Sequence, residues 1–94
     1  MPAYLIANVD VTDSEGYEEY ARRVPETIQA YGGSYLVRGG TPEALEGSTS
    51  ERVVILEFET REALLSWYHS PEYSAIKGIR LANSQATVTV VDGV

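Results

Sequence analysis

The feature that most constrains the fold is the order in which the spacing of apolar residues changes along the chain. Ala3–Val11 is rich in apolar and β-branched residues and predicts a strand. From Tyr17 to Tyr31, apolar side chains recur every three or four residues, which predicts one face of a helix. The segments SYLVR and RVVILEFE predict two further strands. The chain therefore begins as strand, helix, strand, strand.

The second half of the chain repeats the pattern with one helix and one strand. Thr60 is a suitable N-cap for a second helix that carries Trp67. Ser70-Pro71 restarts it as a short helix over PEYSAIKG, and QATVTVV predicts a last strand. The order β-α-β-β-α-β predicts an α+β fold, the ferredoxin-like plait. In this fold an antiparallel four-stranded sheet has both helices on one face. No linker or repeat interrupts the order, so we expect a single domain over residues 1–94.

Proline and glycine residues predict where the first helix and the second strand are interrupted. Pro25 lies in the middle of the helical pattern and predicts either a kink or two helices. Gly32–Gly33 ends this helix, since glycine adopts the left-handed conformation that helix C-termini favour. Gly39–Gly40 ends the second strand and begins a loop. These glycine pairs mark the ends of a helix and a strand, and they do not form a phosphate-binding loop.

Composition excludes several classes of function. The net charge is −7, from 14 acidic and seven basic residues, so a nucleic-acid partner is not expected. There is no cysteine and a single histidine, and we therefore expect no metal site and no disulfide. The sequence begins without a signal-peptide pattern and contains no membrane-length apolar run. We expect a cytoplasmic protein without a membrane partner.

Strand alternation divides the predicted sheet into two faces. One face is almost wholly apolar: Leu5, Ala7, Val9, Tyr35, Val37, Val54, Leu56, Phe58, Ala86, Val88 and Val90. The other face is mixed: Tyr4, Ile6, Asn8, Ser34, Leu36, Arg38, Val53, Ile55, Glu57, Thr87, Thr89 and Val91. Because helices cover only one face and the mixed face is still half apolar, we expect a second copy of the chain to cover the remaining face. The sequence predicts a homodimer built sheet against sheet.

The mixed face predicts one cluster of polar residues. In a plait of this topology Asn8, Arg38 and Thr87 gather at one end of the sheet, and Tyr4 and Glu57 gather at the other. One intervening strand separates Asn8 from Arg38, a distance of about 10 Å. That spacing suits two sides of a small ligand.

Several motifs together resemble those of the DUF1330 family of small bacterial proteins: YLIANVDVTDSEGYEEYARRVP, AYGGSYLVRGG, LEG, VVILEF and WYHSPEYSAIKGIRLA. The resemblance covers essentially the whole chain. It implies a dimeric α/β barrel, and it implies no reaction because the function of the family is unknown.

The chain is also similar, more weakly, to the small haem-degrading and quinone-forming monooxygenases of the same superfamily. This similarity implies a ligand cavity between sheet and helices, lined by Asn8 on the first strand and Trp67 on the second helix. Lys77 occupies the approximate position of the haem-ligating histidine, and protonated lysine is a poor iron ligand; we therefore expect no haem or other cofactor. The similarity also implies that the mixed face, with Asn8, meets the helices and that the apolar face lines the dimer barrel.

Three polar residues have both a functional and a structural interpretation. His69 is either a general base at the mouth of the cavity or a solvated residue at a helix end. Arg38 either binds a carboxylate or enolate of a ligand, or pairs with Glu57 of the other subunit or extends to solvent. Arg80 has the same two interpretations as Arg38.

Tyrosine is frequent, with seven residues in 94, and most of these rings are expected to fill core and interface. Tyr20 and Tyr68 are the candidates for a hydroxyl group in the cavity. The leading hypothesis is a dimer that holds a small organic molecule between sheet and helices. It is either a binding protein or a cofactor-independent monooxygenase or isomerase, in which Asn8 and His69 take catalytic roles. The alternative is a non-catalytic or stress-associated module whose cavity is filled by its own side chains.

Overall fold

The computed structural model describes all 94 residues, Met1–Val94. The elements in chain order are β1 (Ala3–Val11), α1 (Ser14–Ala30), β2 (Ser34–Gly40), β3 (Arg52–Phe58), α2 (Arg61–Tyr68), α3 (Pro71–Asn83) and β4 (Ser84–Asp92). The four strands form one sheet in the order β2-β3-β1-β4, and every neighbouring pair is antiparallel. This is the ferredoxin-like fold that the sequence predicts. No helix is long and apolar enough to span a membrane.

Helix α1 is one continuous helix of 17 residues, although Pro25 lies inside it. Asp13 is the N-cap, and its side chain accepts hydrogen bonds from the backbone of Glu15 and Gly16. Proline removes one backbone hydrogen bond, but Val24 and Ile28 are buried on either side of it. Packing on the sheet holds the helix together, and the predicted alternative of two separate helices is wrong.

The second helical segment is longer than predicted. Thr60 and Ser70 cap α2 and α3 through their side-chain oxygens, as expected. However, α3 continues past the expected end near Gly78 to Asn83. The carbonyl group of Asn83 accepts hydrogen bonds from Thr12 and Asp13, so the end of α3 is tied to the start of α1.

The helices cover the apolar face of the sheet, which corrects the expectation that the mixed face meets them. Buried residues of β1 and β3 all belong to the apolar face: Ala3, Leu5, Ala7, Val9, Leu56 and Phe58. The physical reason is that the apolar stripes of the helices need an apolar partner over their whole length. We call this helix-covered side the inner face and the opposite side, which carries Asn8, the outer face.

Strand β2 contains two bulges, and they change the side on which Arg38 lies. The register shifts between Tyr35 and Val37 and again between Arg38 and Gly40. Arg38 therefore pairs with Val54, an inner-face residue, and not with its expected neighbours on the outer face. Gly39 has a φ of +71°, the left-handed conformation typical of the glycine in a β-bulge. The predicted cluster of Asn8, Arg38 and Thr87 on one face is consequently wrong.

Candidate functional site

A cavity of about 160 Å³ lies between the inner face and the helices α1 and α3. Most of the lining side chains are apolar, and β1 supplies the floor through Leu5, Ala7 and Val9. An apolar protein cavity of about 150 Å³ accommodates benzene. The space therefore suits a molecule built on a single ring.

A buried guanidinium group reaches this cavity from α3. Arg80 is only 6% exposed, and its side chain makes one hydrogen bond, from Nε to the hydroxyl of Tyr73 at 3.3 Å. Neither of the two ion pairs in the protein involves it. Burying a charge without a counter-charge is costly. Arg80 therefore marks a polar end of a mostly apolar cavity.

Two tyrosine hydroxyls extend this polar end. The hydroxyl oxygens of Tyr20 and Tyr73 are 2.8 Å apart and share a hydrogen bond. That bond uses only one of the two hydroxyl protons, and the oxygen of Tyr73 also accepts from Arg80. The other hydroxyl proton has no acceptor in the protein. We call Tyr20, Tyr73 and Arg80 the donor cluster.

Two members of the donor cluster, Tyr20 and Arg80, have raised pKa values. Burial raises the pKa of Tyr20, and the neighbouring Tyr73 raises it further. Burial by itself lowers the pKa of Arg80, but Tyr73 and Tyr20 outweigh it and the net direction is upward. Arginine stays charged in either case. Arg80 therefore presents a cation, and Tyr20 presents a neutral hydroxyl group.

Trp67 forms part of the apolar wall. The centroids of the Trp67 and Tyr73 rings are 4.2 Å apart, with the planes inclined by 37°. The indole N–H donates to the hydroxyl of Thr27 at 2.9 Å, so the polar group of this side chain is already satisfied. Trp67 consequently offers a ligand only its ring.

The more exposed side of the cavity carries two further arginines. Arg38 lies over the ring of Tyr35, with Cζ 4.9 Å from the centroid, and Arg52 lies over Tyr17 at 5.0 Å. Gly39 follows Arg38 in the chain and also lines the cavity, and a Cβ added there would lie 3.3 Å from Nη1 of Arg52. We call Arg38, Gly39 and Arg52 the entrance. No acidic residue lines the cavity.

Four of the seven residues that the sequence singled out line this cavity. Tyr20, Arg38, Trp67 and Arg80 come together from α1, β2, α2 and α3. Arg38 reaches the cavity only because of the bulges in β2. Their assignment as ligand-binding residues stays a prediction, now with a shared location.

The other three candidates lie outside the cavity lining. Asn8 is on the outer face, where it pairs with Val53 and Thr87. His69 is exposed at the C-cap of α2. Tyr68 packs between Trp67 and His69, at centroid distances of 6.1 and 5.3 Å. Their predicted roles would require a site other than this cavity.

Lys77, the residue at the approximate haem-ligand position, also lies outside the cavity lining. Its ammonium nitrogen is 4.8 Å from the ring centroid of Tyr68. A cation over an aromatic face is favourably placed, and Lys77 already has this partner.

Sequence reasoning missed Tyr73, Tyr17 and Arg52. Tyr73 precedes Arg80 by seven residues, two turns of a helix, and therefore lies on the same face of α3. The sequence predicts a helix that ends at Gly78, so it does not place Tyr73 and Arg80 on one helix. Arg52 begins the strongest strand in the sequence, and no signal in the sequence distinguished it from an ordinary strand end.

Solved structures with the same fold have low sequence identity to this chain. A protein of unknown function from Rhodopseudomonas palustris is 18% identical, with a TM-score of 0.82 over 99% of this chain and 82% of that chain. A dimeric ferredoxin-like protein of unknown function from Jannaschia sp. CCS1 is 13% identical, with a TM-score of 0.79 over 99% and 100% of the two chains. SnoaB, a cofactor-independent oxygenase from Streptomyces nogalater, is 10% identical, with a TM-score of 0.68 over 99% and 93%. At these identities the similarity shows the fold alone.

The family assignment rests on the sequence. No curated protein matches this chain. Residues 2–94 match a family described as a domain of unknown function, DUF1330. This match spans nearly the whole chain and confirms the resemblance that its motifs carry, so the protein belongs to the DUF1330 family.

Proposed function

We propose that the protein binds a small organic molecule, of about the size of one aromatic ring, in the cavity between the inner face and the helices α1 and α3. The observation that carries the proposal is the cavity itself, a space of about 160 Å³ with an apolar floor and a polar end. Ligand sites of this kind combine many apolar contacts with a few polar groups that fix orientation.

The alternative is a non-catalytic module whose core is filled by its own side chains. An open space that touches Trp67 favours ligand binding over that alternative. Asn8, the other residue expected to touch the ligand, does not line the space. The proposed ligand therefore contacts Trp67 and the donor cluster and not Asn8.

Trp67 gives a direct test because it is the only tryptophan in the chain and lines the cavity. Toluene, phenol and benzoate would be titrated into the purified protein while the tryptophan emission is recorded. We expect a saturable change with at least one of these probes. No saturable change with any of them would contradict the proposal.

A variant that fills the cavity provides the matched control. Ala7 lies on the floor of the cavity, and Ala7→Leu should weaken probe binding by tenfold or more while the protein stays folded. Ala82 is exposed on α3, so Ala82→Leu should leave the affinity unchanged. Equal affinities of both variants would place the binding site elsewhere.

A second candidate function is cofactor-independent oxidation of an aromatic substrate, or isomerisation of an enolisable one. It is favoured by the similarity of the fold to SnoaB and by the donor cluster, which could stabilise an enolate or phenolate. The cavity lining contains no carboxylate, histidine or lysine that could act as a base. A substrate for oxidation would therefore have to ionise readily, with the protein stabilising its anion.

Oxygen consumption separates this enzymatic candidate from simple binding. A panel of quinols would be tested at saturating concentration, with wild type, Ala7→Leu and Ala82→Leu compared. Catalysis in the cavity predicts oxygen uptake above the rate of autoxidation that Ala7→Leu abolishes and Ala82→Leu retains. Oxygen uptake at the autoxidation rate in all three proteins would contradict catalysis and favour ligand binding alone.

We also propose a homodimer formed through the outer face. This face remains uncovered by the helices and carries Ile6, Val53, Ile55 and Val91, with Leu36 at its edge. Leu36 is 53% exposed and Val91 is 43% exposed. Single exposed apolar residues are common, but a contiguous apolar patch indicates an interface. The structural relative from Jannaschia sp. CCS1 is described as dimeric.

The homodimer is tested by mass in solution. Light scattering should give twice the mass of the 10.3 kDa chain at micromolar concentration. Ile55→Asp, which places a charge in the centre of the outer face, should yield a monomer. A monomeric wild type would contradict the proposal.

A further inference from the structure

We infer that the ligand is an organic anion: a planar apolar body with one oxyanion group, carboxylate or phenolate, bound by the donor cluster of Tyr20, Tyr73 and Arg80. The inference rests on the proposed function and adds the chemical class of the ligand. A comparison of charged and neutral probes can contradict this ligand class without contradicting the proposed binding site.

Positive charge is concentrated in the cavity. The protein carries 14 acidic and seven basic residues, yet three of the seven, Arg38, Arg52 and Arg80, line this one cavity. No Asp or Glu accompanies them in the lining. A strongly acidic protein thus encloses a site of the opposite sign, and such a site selects anions.

Arg80 has no counter-charge within the protein. Arg80 as a whole residue is 6% exposed, and it forms no ion pair. No fully buried side-chain nitrogen in the protein lacks a hydrogen-bond partner, so the unpaired Nη groups face accessible space. Arginine presents five N–H donors, and only Nε has a hydrogen-bonded partner in the protein. A planar oxyanion at the cavity end would supply the acceptors that the Nη groups lack, in the paired geometry that arginine favours.

The two tyrosines of the donor cluster have one more hydroxyl proton than the protein offers acceptors for. Tyr20 and Tyr73 share one hydrogen bond, and Nε of Arg80 donates to Tyr73. Whichever tyrosine donates within the pair, the other retains a free O–H. A ligand oxygen that only accepts hydrogen bonds matches this surplus, whereas an ammonium group would add further donors.

The apolar body of the cavity does not suit a bare inorganic anion. Fourteen of the 18 lining residues are hydrophobic, and the adjacent, mutually tilted rings of Trp67 and Tyr73 form one wall. Phosphate or sulfate would leave this surface empty. A ring carrying its charge at one end would fill it, with the ring against Trp67 and the oxyanion at Arg80.

The experiment compares a charged probe with a neutral probe of the same shape. Benzoate and benzamide would be titrated against the Trp67 emission of the wild-type protein. We expect benzoate to bind at least tenfold more tightly than benzamide, since hydrogen bonds to an ionised acceptor are about twice as strong as neutral ones. Equal affinities would exclude a carboxylate ligand, and if a phenolate is not preferred either, they would overturn the inference and leave the proposed binding site intact. Failure of both probes, and of toluene and phenol, would overturn both proposals.

Variants identify the groups responsible. Arg80→Met should abolish the preference for benzoate, whereas Arg22→Met, at an exposed arginine of α1, should retain it. Because loss of Arg80 alters a buried position, Tyr73→Phe serves as a second variant: it keeps the ring and should reduce benzoate affinity about fivefold. A preference for benzoate that survives both substitutions would contradict the assignment to the donor cluster.

A coloured probe distinguishes the two sources of the oxyanion. The ionised form of 4-nitrophenol is yellow, so its titration can be followed in the bound state. A phenolate-binding cluster should shift this titration to lower pH by at least one unit on binding. Tight benzoate binding without a shift in 4-nitrophenol would assign the site to carboxylates, and a shift with weak benzoate binding would assign it to phenolates. Neither signal in the folded protein would overturn the inference.

Discussion

The two faces of the sheet come from the same strands, and they differ in how their polar residues are used. The outer face carries most of the polar strand residues, among them Asn8, Glu57 and Thr87, but no helix covers them. The inner face is almost wholly apolar, yet it forms the floor of the cavity. The polar groups above that floor come mainly from the helices, through Tyr20, Tyr73 and Arg80. A polar strand face therefore does not mark the binding site in this fold; an apolar face opposite polar helix residues does.

The largest expected difference between the faces is in stability. Phe58 is fully buried on the inner face, 5.6 Å from the ring of Trp67 between centroids, and Phe58→Ala should lower the free energy of unfolding by about 3–5 kcal/mol. Val91 is 43% exposed on the outer face of the single chain. In the monomer expected of Ile55→Asp, Val91→Ala should lower the free energy of unfolding by less than about 1 kcal/mol. Urea denaturation of both variants measures the difference. Similar losses would mean that the outer face is buried as deeply as the inner one.

The next effect concerns pH. Burial raises the pKa of Tyr20 in the folded protein, while the unfolded value is about 10. Stability that depends on the protonated hydroxyl is complete below about pH 10 and is lost as the pH rises above it. Above about pH 10, the free energy of unfolding of the wild type should therefore fall more steeply than that of Tyr20→Phe, by up to about 1.4 kcal/mol per pH unit.

Urea denaturation at several pH values above and below 10 tests this difference. The matched control is Tyr17→Phe, at a buried tyrosine on the same face of α1 whose hydroxyl forms no hydrogen bond in the donor cluster. Tyr17→Phe should keep more of the wild-type pH dependence than Tyr20→Phe. Parallel curves for wild type and Tyr20→Phe would contradict the burial of the Tyr20 hydroxyl.

A smaller effect is expected at the bulge that brings Arg38 to the inner face. Gly39 has a φ of +71° and Gly47 a φ of +75°, so alanine at either position should cost about 1–2 kcal/mol in backbone strain. Only Gly39 lines the cavity, where an added Cβ would lie 3.3 Å from Nη1 of Arg52. Gly39→Ala should therefore also weaken benzoate binding, and Gly47→Ala should not. Equal binding by both variants would separate the bulge from the site.

The fold was predictable from the sequence because its signals are local. Asp13, Thr60 and Ser70 begin helices through their own side chains, and strand alternation in β1 is regular over its whole length. The position of Arg38 was not predictable, since two bulges in β2 interrupt the alternation. A bulge depends on pairing with β3, which the local sequence of β2 does not encode.

The choice of face for the helices shows a different limit. The apolar stripe of α1 favours the apolar face, and the residue pattern alone points to the correct side. The contrary expectation came from matching Asn8 to an asparagine of distant monooxygenases. At 10% identity to SnoaB, the fold is shared while individual site residues are not transferable. Tyr73 and Arg80, the residues that define the donor cluster, have no counterpart in that resemblance.

The smallest expected effect is the sharpest test of which face holds the site. Asn8 lies on the outer face and His69 is exposed at the end of α2, so neither contacts the cavity. Asn8→Ala and His69→Ala should each change benzoate affinity by less than twofold, whereas Arg80→Met removes the preference for the anion. A loss at Asn8 as large as that at Arg80 would move the site to the outer face. Because that face is also the proposed dimer interface, the same result would place the ligand between two subunits, and Ile55→Asp would then abolish ligand binding together with the dimer.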